Sequence, residues 1–104
     1  MIFFSHTFSQ NIVPNASFED TVTCPTSTNQ TNKAAGWNID INTSDYYNSC
    51  ASFNSMVSVP TSGVGYQCPA NGNGYCGFIA FRKIQPNYRE YLGRQILPLI
   101  VGKK

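Results

Sequence analysis

The residues of this chain able to do chemistry are few: five carboxylates, four cysteines and one histidine in 104 residues. The carboxylates are Glu19, Asp20, Asp40, Asp45 and Glu90. A glycosidase needs two of them flanking one bond, and nothing in their spacing singles out a pair. The histidine, His6, lies near the start of the chain, in a segment that reads as a leader. Without it, Ser–His or Cys–His nucleophilic catalysis has no base. The inventory points away from an enzyme. No two cysteines have the two-residue spacing of a zinc site, so zinc is not expected. Four cysteines in so short a chain fit an oxidising compartment and disulfides. They allow three pairings. Cys68 and Cys76 flank a turn rich in Asn and Gly, so a local Cys68–Cys76 bridge is geometrically reasonable.

The other chemistry on offer is recognition. Asp45 to Phe53 reads DYYNSCASF and gathers Asp45, Tyr46, Tyr47 and Phe53 in what looks like a short turn. Sugar sites combine aromatic faces with a few fixed polar groups. This stretch, with Trp37, is the best ligand candidate on chemistry. The competing reading is that Cys50 anchors the turn and the tyrosines cover the core. Trp37 has the same two readings, core seal or stacking platform, and large aromatics dominate small cores.

Elements must position these residues. Length allows one small domain. Only 12% of residues are charged, about half the usual ~25%, and Asn, Ser and Thr fill the gap. That is the composition of an extracellular β-protein with polar loops. Net charge is +2, with basic residues scattered, so no nucleic-acid footprint is seen. No apolar run approaches the roughly 20 residues of a membrane span. The glycines after Gly63 do not form a phosphate loop, because no GK[ST] follows.

Met1 to Gln10, MIFFSHTFSQ, reads as the tail of a secretory signal peptide, with cleavage near Ser9 or Gln10. Asn11 to Asp20, NIVPNASFED, reads as an opening strand with a bend at Pro14 and Asn15. Phe18 then enters the core, and Glu19 and Asp20 return to solvent. Thr21 to Gly36 is a polar connector. Ile39 and Ile41 alternate with polar neighbours as a half-buried strand does. Met56 to Pro60 reads as a short strand. GYQCPANGNGYCGF, from Gly65, reads as strand, turn and strand. Tyr75 to Phe81 is apolar on both faces, as a central, covered strand would be. Tyr88, Tyr91, Leu92, Gln95, Ile96 and Leu99 fall at helical spacing, between Pro86 and Pro98. Arg89 and Glu90 read as surface charges whose pairing would be worth little. Asn15, Asn29 and Asn42 head N-glycosylation tripeptides, which are frequent in Asn-rich chains.

An ordered set of motifs carries a resemblance. NxVPNxSFE with TCP at Thr23 to Pro25 resembles the N-terminal signature of a β-sandwich module of surface proteins in gliding, Bacteroidota-type bacteria. Gly36-Trp37, DYYNSCA at Asp45 to Ala51, Val59-Pro60, GYQ at Gly65 to Gln67, NYREYL at Asn87 to Leu92 and PLIVGK at Pro98 to Lys103 follow in the family's order. The resemblance implies an all-β jelly-roll sandwich, galactose-binding-like, ahead of an OmpA-type or type IX secretion sorting domain. It implies a Cys24–Cys50 disulfide, since the family carries cysteines at those places; at Cys68 and Cys76 the chain departs from it. It implies a strand, not a helix, over 86–99. It also implies that Glu19 could hold a structural calcium ion in the full-length module, with other ligands from outside this chain; no further cofactor is expected.

A jelly roll takes about eight strands, and five or six candidates are legible. The reading is therefore an incomplete module over 11–104, with an exposed strand edge or an uncovered apolar face. The expected role is a non-catalytic, secreted module at the bacterial cell surface or outer membrane, binding glycan through Trp37, Asp45, Tyr46 and Tyr47. The alternatives are a structural or docking spacer and, least favoured, a glycoside-active enzyme.

Overall fold

The computed structural model of the chain describes residues 12–38, 43–85 and 87–96. The expected leader, the Ile39/Ile41 alternation with Asp40, and the PLIVGK turn lie outside those residues. The described part is all-β, built from short antiparallel pairs and one 3-10 turn, Thr31–Lys33. Its strands are β1 (Trp37–Asn38), β2 (Asp45–Asn48), β3 (Thr61–Ser62), β4 (Gly65–Tyr66), β5 (Gly74–Gly77) and β6 (Gly93–Arg94). Among the described residues, β1 pairs with β6, β2 with β5, and β3 with β4.

The β2–β5 pair is the centre. Its register sets Asp45 opposite Gly77, Tyr46 opposite Cys76, Tyr47 opposite Tyr75 and Asn48 opposite Gly74. The Tyr47 and Tyr75 rings stack with centroids 4.8 Å apart, tilted by 14°. Such a cross-strand aromatic pair stabilises a ladder by about 0.2–1 kcal/mol. Tyr47 packs with Ala51 and Val57, and Val59 and Tyr75 close the cluster. Asp45 to Asn48 is therefore a strand, where a turn was expected. The turn follows it, at Ser49 and Cys50.

Over its described residues, 12–20, the opening segment forms no strand. Residues 14–17 turn, and Asn15 and Phe18 adopt positive φ angles of 50° and 61°. Asn tolerates that conformation better than most residues. The Asn15 side chain then holds the segment: Nδ2 donates to Asp20 O (2.9 Å) and Ala35 O (3.1 Å), and Oδ1 accepts from Asp20 N (2.9 Å). Phe18 packs on Trp37, centroids 4.6 Å apart. The polar connector is pinned at both ends. Val22 N donates to Lys33 O at 2.8 Å, Ala35 N donates to Asp20 O at 2.7 Å, and buried Thr31 bonds the Ser44 hydroxyl at 2.8 Å.

Two further expectations change, and one spacing misleads. Met56 to Pro60 forms turns and no strand. Buried Val57 accepts the Asn48 N–H at 3.2 Å instead. The expected Tyr75–Phe81 strand ends at Gly77, and Phe78 (55% exposed) and Phe81 (66%) stand in solvent. Its continuation fails because both backbone groups of Ile79 go to one residue: Ile79 O accepts from Glu90 N, and Ile79 N donates to the Glu90 carboxylate. Over residues 87–96 no helix forms, despite the helical spacing; Gly93–Arg94 pairs with β1.

The disulfide joins Cys24 and Cys50, with Cα atoms 5.7 Å apart. Cys68 and Cys76 are free thiols, so the expected local bridge is corrected. Its premise was a hairpin from β4 to β5. The strands instead pair with different partners, β4 with β3 and β5 with β2. Cys76 faces its cross-strand neighbour Tyr46, while exposed Cys68 reaches the Tyr66 hydroxyl at 3.6 Å.

Candidate functional site

Consecutive residues of a strand point to opposite faces, and this rule divides the expected ligand cluster. Asp45 and Tyr47 share one face of β2; Tyr46 belongs to the other. Tyr46 is fully buried. Its hydroxyl donates to Phe18 O at 2.8 Å and accepts from Asn48 Nδ2 at 2.7 Å. Burial, the dominant cause, holds its phenol above the ordinary value. Trp37 is half-buried on Phe18 and donates its indole N–H to Asn15 O at 2.9 Å. Trp37 and Tyr46 are therefore core and seal, with their polar atoms committed to the fold.

Asp45 and Tyr47 line a hollow of about 340 Å³, at the lower end of the roughly 300–1,000 Å³ of ligand pockets. Tyr75, Gly77, Phe78 and Ile79 add the β5 side, and Val64, Gln67 and Glu90 complete it. Gly77 lets the Tyr47 ring lie close against β5: a Cβ there would meet Tyr47 Cε2 at 3.0 Å. Tyr47 is itself 97% covered, so the hollow meets it at an edge beside the more open Tyr75. Burial, then Asp45, raises the Tyr47 phenol well above its ordinary range; burial also raises that of Tyr75.

Two carboxylates face this space, and the fold holds both. Asp45 accepts from Asn29 N (2.7 Å) and from the Tyr47 hydroxyl (3.2 Å). Glu90 is 5% exposed, where a surface charge was expected. It accepts from the Thr43 hydroxyl (2.6 Å), Ile79 N (2.7 Å) and the Tyr88 hydroxyl (3.4 Å). A buried carboxylate is tolerable only with such charge-assisted bonds. All four oxygens thus act as fixed acceptors.

The sequence reading placed Asp45 and Tyr47 here but missed Gln67, Tyr75, Phe78 and Glu90. One signal existed for Glu90: in strand alternation it shares a face with Leu92. A carboxylate on an apolar face is a buried acceptor or a misassigned strand.

Glu19 is half-buried rather than free in solvent. It borders a separate polar hollow of about 310 Å³ with Thr21, Asn48, Ser49, Asn73 and the disulfide. Its Oε1 accepts from Asn73 N (2.7 Å) and Gly74 N (2.9 Å). Converging N–H groups suit a carboxylate and oppose a cation. One such carboxylate falls short of the six to eight oxygens calcium takes. Among the described residues no cluster of three acidic, cysteine or histidine side chains could hold a metal. The described residues alone do not complete a calcium site.

The described residues thus form a small all-β module with a disulfide and an aromatic, acidic hollow. No protein-family model, curated protein or solved structure matches the chain significantly.

Proposed function

We propose that the chain is a non-catalytic module of a secreted bacterial cell-surface protein and that it binds carbohydrate in the hollow beside β2 and β5. The observation that carries this reading is the lining: a stacked tyrosine pair, an open Phe78 ring, the Gln67 amide and two immobilised carboxylates around one space. Aromatic faces with few fixed polar groups are how sugars are held. A glycosidase reading needs a carboxyl with a proton to give to a leaving group; here every carboxylate oxygen is aimed at a donor of the fold. The jelly-roll, galactose-binding-like architecture, with an OmpA-type or sorting domain downstream, is the form we propose for the whole module. Its support is the ordered motif set, the all-β pairing and the disulfide. No helix of the described residues is long and apolar enough to cross a membrane.

The test is a glycan array with the full-length module, alongside Phe78→Ala and a control, Phe53→Ala. Phe53 is exposed and does not line the hollow. Selective binding that falls about tenfold in Phe78→Ala, the size of one aromatic contact of ~1.4 kcal/mol, with the control unchanged, supports the reading. A blank array from a folded module moves it to docking. That second role has its own observation: apolar Phe78, Phe81 and Ile84 stand exposed along one segment.

A further inference from the structure

We infer that the hollow selects glycans carrying a free amine, unacylated amino sugars, over neutral, N-acetylated or uronic counterparts. This deepens the carbohydrate reading and rests on it. Two independent features of the cavity agree.

The first is the balance of charge. Among the described residues the lining holds Asp45 and Glu90 and no lysine, arginine or histidine. The groups bonded to these carboxylates are neutral: backbone N–H of Asn29 and Ile79, and hydroxyls of Tyr47, Thr43 and Tyr88. Neutral donors fix a carboxylate without cancelling its charge. A concave site lined by one sign of charge focuses its field on what enters.

The second is the aromatic wall. Tyr75 and Phe78 lie beside the carboxylates, and ring faces attract cations through their quadrupole. Carboxylates and rings together suit an ammonium group on an otherwise uncharged sugar ring. A uronic acid would meet the same field as repulsion, which is discrimination against the wrong ligand as much as attraction to the right one.

The experiment is calorimetric titration of the purified chain, disulfide intact, with four oligosaccharides of equal length: glucosamine, N-acetylglucosamine, glucose and galacturonate oligomers. The glucosamine oligomer is expected to bind at least tenfold tighter than the next, and its advantage to shrink as salt is raised. Gln67→Lys is the decisive variant. Gln67 is exposed and lines the hollow, so the change adds a positive charge without disturbing the core. It should erase the preference for glucosamine and leave the melting temperature unchanged. Equal affinity for glucosamine, N-acetylglucosamine and glucose oligomers would overturn the amine selection and leave the carbohydrate reading standing. The same holds if Gln67→Lys keeps the full preference. Binding of none of the four, with a positive array for another glycan, also overturns it. Binding of no glycan in either experiment removes both readings.

Discussion

Cys68 and Cys76 carry the same thiol in different surroundings. Cys76 sits in β5 beside Tyr46, and burial, with a smaller contribution from Asp45, pushes its pKa up to about 12. Only the thiolate reacts with alkylating agents. At pH 8 about one Cys76 in 10⁴ is thiolate on that value. Iodoacetamide at pH 8 should therefore label the native protein once, at Cys68, and twice after unfolding in urea, as peptide mass spectrometry reads out. Rapid native labelling of Cys76 would contradict its placement. The stability linkage has the matching sign: the contribution of the raised folded pKa is fully present below the ordinary thiol value of 9.0 and is lost as pH climbs to about 12.

At the scale of elements, the loop before β5 is set by one long-range contact. Glu19 lies 54 residues from Asn73 in sequence yet accepts its N–H and that of Gly74. Gly72 makes room. Its φ is +69°, and a Cβ there would run into the Glu19 carboxyl group. A side chain at that backbone conformation is strained even in open space. Glu19→Gln keeps the shape and loses the charge, so it should cost about 1 kcal/mol in urea unfolding. Gly72→Ala, adding strain and displacing the carboxylate, should cost about 2–3 kcal/mol. If Gly72→Ala proves harmless, the Glu19 contact does not organise this loop.

The elements also show what a sequence can and cannot carry. Phe18 was expected in the core from its apolar character amid polar neighbours; it lies half-buried on Trp37, outside the buried cluster around Tyr47. Asp45 and Tyr47 were legible as a possible site, but the stretch was read as a turn. In a turn Tyr46 and Tyr47 can converge; in a strand alternation forces them apart, and β2 is a strand. The β4–β5 hairpin failed for a related reason. A run of Asn and Gly permits a turn but does not say which strands pair: β2, far back in sequence, took β5, and β3, just before β4, closed a local hairpin with it. Glu90 gave almost no local signal, because its donors at Thr43 and Ile79 lie 47 and 11 residues away.

For the molecule as a whole, the Cys24–Cys50 bridge ties the connector to the end of β2 across 26 residues. Closing a loop of that size removes unfolded-state entropy worth about 3.5 kcal/mol at 25 °C. Small domains bury little surface on folding, so this contribution is a large share of a stability of about 5–15 kcal/mol. Reduction with a phosphine should lower the urea midpoint accordingly, and the Cys24→Ala, Cys50→Ala double variant should behave like the reduced protein. Unchanged midpoints would place the connector's stability in the Thr31–Ser44 and Asp20–Ala35 bonds instead.

The same bridge sets how far the chain can be drawn out under load. A segment of 26 residues spans about 90 Å when fully extended, and the closed loop withholds nearly all of that length. An oxidised molecule pulled from its two ends therefore yields a shorter tether than a reduced one. Tension entering at either end passes through the Cys24–Cys50 sulfurs and leaves the connector slack, so the bridge fixes the reach of whatever the chain joins.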